Sequence, residues 1–298
     1  MEVIKIIEEK IIPLKFDLMF KKVFGDNKDK EPLRNLLRCI LDIEAKEITI
    51  LNPEVIGSSY YDKRTIVDLI VELEDGTKIS IEMNTNVNNY LISRNLNYLF
   101  KIMSHNFKKG RLYSEFDKHI QINIDCEGSH VEAIERYKIM EEKRHKVLTD
   151  KIEIIRIDLP YYVKKCYNQE EGKLDYKDKF IGIIGIEDKK KLKSLIKGEK
   201  SMEEIFNKVE DFSKDEEILG AYDAEWHRKE TERVVRLSEI ENAEERGIEK
   251  GIKEGIEQGS MNEKKYIALN MLKEKMDIEF ISKVTGLNID QIKKLESE

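Results

Sequence analysis

The stretch from Lys63 to Asn84, KRTIVDLIVELEDGTKISIEMN, constrains this chain more than any other. It reads as two short apolar strands joined by a tight turn. Ile66, Val67, Leu69, Ile70, Val71 and Leu73 lead up to Glu74-Asp75-Gly76, a hairpin signal, and Ile79, Ile81 and Met83 lead back. Two carboxylates, Asp68 and Glu82, interrupt these strands. A carboxylate inside a buried strand costs several kcal/mol, on the order of 3 or more, unless it is paired or binds a metal. Two brought together also repel, and a divalent cation relieves both penalties. A site built of oxygens suits Mg²⁺ or Mn²⁺.

The turn length decides whether the two acids meet. Alternate residues of a strand share a face, so Lys78, Ser80, Glu82 and Asn84 point one way. A two-residue turn at Asp75-Gly76 would set Asp68 opposite Met83, with Glu82 on the other face. A three-residue turn, Glu74-Asp75-Gly76 with Gly76 left-handed, sets Asp68 opposite Glu82. A shared metal therefore requires an odd-length or bulged turn.

The pattern D-x13-E-x-[K/Q] on a hairpin, followed by a helix, resembles the PD-(D/E)XK nuclease superfamily. The wider chain resembles the Rpn family of recombination-promoting nucleases, also described as PD-(D/E)XK family transposases. The matching pieces are FDLMFKKVFGD (Phe16 to Asp26), VDLIVELEDGTKISIEMN (Val67 to Asn84), RNLNYLFK (Arg94 to Lys101), KKGRLY (Lys108 to Tyr113) and HIQINID (His119 to Asp125). The resemblance covers about the first half of the chain and continues in a Gly-rich tail. It implies an α/β fold, a restriction-endonuclease-like mixed sheet flanked by helices, followed here by an all-helical C-terminal region. It also implies Mg²⁺ or Mn²⁺ held by Asp68, Glu82 and the main-chain carbonyl of Met83, with Asn84, Arg94 and Asp17 completing the catalytic set. The chain departs at Asn84, where the family usually has Gln and the superfamily Lys. Asn is neutral and can only orient a partner by hydrogen bonding, so Lys78 and Arg94 are the candidates for the missing charge.

Composition narrows the partners. The net charge is −7, so any DNA contact rests on a local basic patch rather than on the whole surface. Lys63 and Arg64 beside the hairpin, and Lys108, Lys109 and Arg111 near Tyr113, are candidate DNA-binding residues. The second group reads equally as cations at a helix C-terminus. Cys39, Cys126 and Cys166 lack CxxC spacing, which reads as reduced cytosolic thiols without zinc or disulfides. No apolar run approaches ~20 residues and MEVIKIIEEKII lacks a cleavage-site pattern, so a cytoplasmic protein without a membrane span or signal peptide is expected.

Around the hairpin, Phe16, Phe20 and Phe24 form one stripe of a first helix, with Asp17 beside it. Asp17 reads either as a solvated residue near the helix dipole or as a member of the metal site. Lys21 and Lys22 could reach a phosphate, although exposed lysines usually only solvate. A second helix spans Glu31 to Leu41, and Ile48 to Val55 reads as an edge strand interrupted by Pro53. Asn88 or Asn89 can cap a helix from about Tyr90 to Phe107, with Leu91, Leu99, Ile102 and Met103 facing the core. Arg94 on that helix can grip a phosphate through its planar fork, or prop the site. Ile120 to Ile124 and Ile152 to Ile157 extend the sheet, and the polar segment Glu132 to Thr149 between them reads as partly helical.

Composition shifts near Asn168, which suggests a nuclease-like domain over 1–167, a charged helical region over 168–245, and a Gly-repeat helix with a helix-turn-helix-like element over 246–298. In GIEKGIKEGIEQG, Gly247, Gly251, Gly255 and Gly259 recur every fourth residue beside Ile248, Ile252 and Ile256. Each helical Gly costs ~1 kcal/mol relative to Ala. A close helix–helix contact, as in a homodimer seam, offsets that; a partly melted hinge is the other reading. At the end, Asp277 and Asn288 are candidate caps around a Thr285-Gly286 turn. Acidic side chains outnumber basic ones there, which favours an interaction element over a DNA reader. Two functions stand: a metal-dependent DNA endonuclease linked to recombination or mobile elements, and a nuclease-fold regulator with feeble or no cleavage that binds DNA or protein.

Overall fold

The computed structural model describes residues 11–55, 65–106, 112, 116–128, 130–169 and 171–297. Lys63, Arg64, Lys108, Lys109 and Arg111 lie outside them.

The stripe of phenylalanines forms α1 (Asp17–Phe24), and Phe16, Phe20 and Phe24 are all buried. The second helix is α2 (Glu31–Leu41), which buries Leu33, Leu36, Leu37 and Ile40. Pro53 splits the expected edge strand into β1 (Ile48–Leu51) and β2 (Glu54–Val55), because proline donates no ladder hydrogen bond. The ascending strand of the hairpin is also broken: β3 (Thr65–Ile66) pairs with β2, the chain bends at Val67-Asp68, and β4 (Leu69–Leu73) follows. The hairpin returns as β5 (Lys78–Asn84), which leads into α3 (Leu91–Asn106) and β6 (His119–Asp125). Asn88 turns the chain into α3, its carboxamide oxygen accepting from Tyr90 N at 2.9 Å.

Two further strands complete the sheet. The segment read as partly helical forms β7 (Ile134–Lys138) and an isolated bridge between Met140 and Val147 instead. Val131, Tyr137, Ile139, Met140, Val147 and Leu148 are exposed, so this edge has no helical stripe to bury. After β8 (Ile152–Asp158), the sheet reads β1-β4-β5-β6-β8-β7. Its central pairs, β5 with β6 and β6 with β8, are parallel, and the others are antiparallel.

Alternation along β5 and β6 sends Ile79, Ile81, Met83, Ile120, Ile122 and Ile124 into the main core. The opposite face carries Lys78, Ser80, Glu82 and Asn84 on β5 and His119, Gln121, Asn123 and Asp125 on β6, all of them buried as well. Parallel strands covered on both faces normally read as continuous apolar runs. A buried polar face is the departure that locates the site.

Residues beyond Asn168 belong with the sheet. Asp158 caps α4 (Leu159–Asn168), a 3-10 turn spans Glu171–Lys173, and α5 (Tyr176–Gly185), α6 (Lys189–Ile196) and α7 (Lys200–Phe212) follow. Phe180, Ile184, Leu195, Met202 and Ile205 share one core with Phe20 and Ile122. The two compact units are Met1–Asp223 and Ala224–Glu298, so the division falls after 223 rather than after 167. The polar stretch that resembles a linker is a capped connection, with Asp175 accepting from Asp178 N at 2.7 Å.

The second unit holds most of α8 (Glu216–Lys273), then α9 (Ile278–Thr285) and α10 (Ile289–Ser297). The Gly repeat lies inside one continuous helix of 58 residues, and no hinge interrupts it. Ala268, Ile281, Leu287 and Ile292 form a small core of their own. Asp277 caps α9 and Gly286 ends it at φ +73°. Asn288 and Gln291 exchange side-chain-to-backbone hydrogen bonds at 2.8 and 2.9 Å, a capping box that starts α10.

Candidate active site

The hairpin turn has three residues. Leu73 N donates to Thr77 O at 2.9 Å, Gly76 N donates to Leu73 O at 3.0 Å, and Gly76 adopts φ +81°, where a Cβ would be strained. The ladder pairs Leu69 with Ile81 and Ile70 with Ser80. One further step in that register sets Asp68 across from Glu82. Asp68 sits at the bend before β4, and its Oδ2 accepts from Met83 N at 2.6 Å.

Helix α1 brings a third acid and a base to the same place. Lys21 Nζ lies 2.8 Å from Asp17 Oδ1 and 3.1 Å from Asp68 Oδ1. Gly25 permits this approach: a Cβ there would fall 2.5 Å from Lys21 O and 2.9 Å from Leu69 Cδ2, so the end of α1 rests on the residue next to Asp68.

Both strand carboxylates resist ionisation. Burial pushes the Asp68 carboxyl up to about 6, helped by the hydrogen bond and charge of Asp17 and opposed by Lys21 and the Met83 N–H. Burial and the charge of Asp68 push Glu82 up to about 8, against the attraction of Arg94 and Lys21. Burial works to lower the Lys21 pKa, but the acceptors Asp17 and Asp68 outweigh it and leave the ammonium above its usual value. Glu82 Oε1 is buried without a hydrogen-bond partner among the described residues. An orphaned carboxylate oxygen beside two more acids is the donor chemistry of a hard divalent cation. As the side chains stand, no three Asp, Glu, His or Cys residues among those described are gathered closely enough to hold one; the Lys21 ammonium takes up the space between Asp17 and Asp68.

The remaining expected residues divide. Arg94 reaches from the exposed side of α3 to donate from Nη2 to Asn84 Oδ1 at 2.7 Å, with its guanidinium 5.9 Å from the centre of the Tyr98 ring. Asn84 is fully buried, and its Nδ2 donates to Asp125 Oδ1 at 2.7 Å. Both ends of the Asn84 amide are thus held by protein. Lys78 does not reach the acids: it pairs with Asp117 at 2.7 Å, four residues and about 13 Å along the strand from Glu82.

Asp125 and its partners escape a reading of the sequence. Asp125 is fully buried and accepts at Oδ2 from Arg156 Nε and Nη2 at 3.1 and 2.7 Å, with His130 Nε2 at 2.9 Å. The one signal for Asp125 is the polar alternation of HIQINID, which sets it on the face of His119, Gln121 and Asn123; nothing local points to Arg156 or His130. Above them, Asn95 Nδ2 of α3 donates to Asn123 Oδ1 at 2.8 Å, and Gln121 Nε2 donates to Asn95 O at 2.9 Å. These bonds seat α3 on the polar face and fix where Arg94 starts.

Residues 14–235 match the sequence model of the PD-(D/E)XK nuclease family transposases. The chain belongs to this family. Residues 262–297 match a second model, the C-terminal HTH domain of the Rpn/YhgA-like nuclease family. No curated protein and no solved structure matches the chain. The six-stranded mixed sheet with flanking helices, followed by a helical region, is the PD-(D/E)XK arrangement, and the transposase-family match runs through α7 into α8. The HTH match covers the end of α8 with α9 and α10, so the C-terminal element expected as a generic interaction module carries a helix-turn-helix sequence. Among the described residues, no helix is long and apolar enough to cross a membrane.

Proposed function

We propose that this PD-(D/E)XK family member is a cytoplasmic, Mg²⁺- or Mn²⁺-dependent DNA endonuclease that hydrolyses phosphodiester bonds in recombination or mobile-element movement. One observation carries the reading. The hairpin register sets Asp68 across from Glu82 on a buried polar face, and Glu82 Oε1 is left without a partner. Acids arranged this way cost stability unless a cation joins them.

Asp68, Glu82 and the Met83 carbonyl would hold the cation, with Asp17 beside them. Such a cation lowers the pKa of a bound water and neutralises charge on the scissile phosphate. Arg94 offers a planar, permanently charged donor to a phosphate, held by Asn84 and by the ring of Tyr98. Asn84 acts here by fixing Arg94, since both ends of its amide are already bonded. DNA would also be met by Lys63, Arg64, Lys108, Lys109 and Arg111 and by the C-terminal HTH segment. Self-association into a dimer through the C-terminal helices is part of the same reading, because Ile248, Ile252 and Ile256 are exposed beside the glycine stripe.

The test is cleavage of supercoiled plasmid with Mg²⁺ or Mn²⁺, with Asp68→Ala alongside. Nicking by the parent and none by the variant is expected. Equal inactivity of both would leave the other reading, a DNA- or protein-binding regulator on a nuclease fold. The engaged amide of Asn84, which leaves no motif base, favours that outcome.

A further inference from the structure

We propose that Lys21 is the built-in cation of this site: it occupies the space between Asp17 and Asp68 until a divalent metal displaces it, and then supplies positive charge to the phosphate. The proposal rests on the metal-dependent reading above.

Four observations carry it. Lys21 Nζ touches both acids, 2.8 Å from Asp17 Oδ1 and 3.1 Å from Asp68 Oδ1. Its base is fixed, because α1 buries Met19, Phe20, Val23 and Phe24, and Gly25 lies against Leu69. Its head is not fixed, since the side chain is 30% exposed and lysine has a long flexible stem. Of the other cations, Lys78 is paired with Asp117 at the far end of β5, and Arg94 reaches in from α3 through Asn84 rather than between the acids, so Lys21 alone of the three bridges Asp17 and Asp68.

The physics runs in sequence. With no metal, Asp17 and Asp68 would repel one another, and the ammonium between them offsets that repulsion. A divalent ion and an ammonium cannot share the same few ångströms between two acids, because like charges there repel strongly. The metal therefore competes with Lys21 for Asp17 and Asp68. Once released, the ammonium remains tethered beside the acids, where an attacked phosphate gathers negative charge. This is the charge that the motif position lacks, because it holds Asn84. Lys21 keeps its proton throughout: water adds across the P–O bond, the leaving alkoxide takes the proton that water gives up, and the hydrolysis balances without proton transfer from lysine.

Competition and catalysis predict opposite effects from one substitution. The measurement is calorimetric titration of the full chain with Mn²⁺ alone, followed by plasmid cleavage, for the parent, Lys21→Gln, Lys21→Arg and Asp68→Asn. Lys21→Gln should bind Mn²⁺ about tenfold more tightly, because a competing ion pair is gone. It should cleave on the order of 10²-fold more slowly, because a charge at the phosphate is gone. Lys21→Arg keeps the charge and should return affinity and cleavage towards the parent. A lysine that only braces the fold would give weaker metal binding together with slower cleavage, and that result overturns the proposal, as does unchanged affinity. Circular dichroism of each variant separates loss of fold from loss of site, and Lys21→Met, which also removes the charge, stands in with the same expected outcomes if Gln unfolds. If Asp68→Asn abolishes Mn²⁺ binding while Lys21→Gln matches the parent, Lys21 fails and the metal reading stands. If Asp68→Asn also leaves Mn²⁺ binding untouched, the metal reading itself fails.

Discussion

Glu82→Gln removes a titratable carboxyl from the site while keeping its shape, and its effect follows from the surroundings of the parent side chain. Glu82 is 5% exposed, and burial together with Asp68 raises its carboxyl from 4.5 to about 8. Between those values the folded chain keeps a proton that the unfolded chain has released. Stability therefore falls as pH rises, by about 1.4 kcal/mol per pH unit, and the loss levels off above the folded value. At about pH 7 the accumulated loss is about 3 kcal/mol, and Gln has no proton to give up. The variant should match the parent near pH 5 and exceed it near neutrality, by roughly 6–12 °C for a unit of this size. Calorimetric melts in EDTA across this range would show it. Adding Mn²⁺ should then stabilise the parent more than the variant, since one ligand is missing. A difference that does not change with pH would refute the reasoning, because it would mean that Glu82 is already ionised in the fold.

Asp125→Asn should destabilise the chain by about 3 kcal/mol, read from the urea midpoint, because Arg156 and His130 lose the buried charge that holds them. Gly251→Ala separates the two accounts of the tail. A Cβ there meets nothing within 4 Å in this chain, so the helix should gain about 1 kcal/mol. If a second copy packs on the glycine stripe, sedimentation should show weaker self-association despite the firmer helix. Unchanged association would remove the glycines from any seam.

Local chemistry made the hairpin legible. Glu74-Asp75-Gly76 signals a turn of two or three residues; the structure has three, with Gly76 left-handed, and period-two alternation then brings Asp68 and Glu82 to one face. The phenylalanine stripe of α1, the break at Pro53 and the caps at Asp277 and Asn288 were equally readable, because each is settled within a few residues. The segment from Glu132 to Thr149 was not. Its charged composition suits a helix, but pairing with β8 made part of it a strand, and strand propensity yields to such context. The boundary after Asn168 failed for a related reason. A polar run looks like a linker until the helices beyond it are seen filling the core that the sheet began.

The amino-acid order by itself determined a hairpin with one acid on each strand, since a turn signal and an alternation are properties of neighbouring residues; the three-residue turn seen in the structure set those acids face to face. Only the tertiary structure decided which charges would join them. Lys21 meets Asp68 across 47 residues, and Arg156 meets Asp125 across 31. Contacts at such separations depend on how helices and strands come to rest on one another, which no local pattern records.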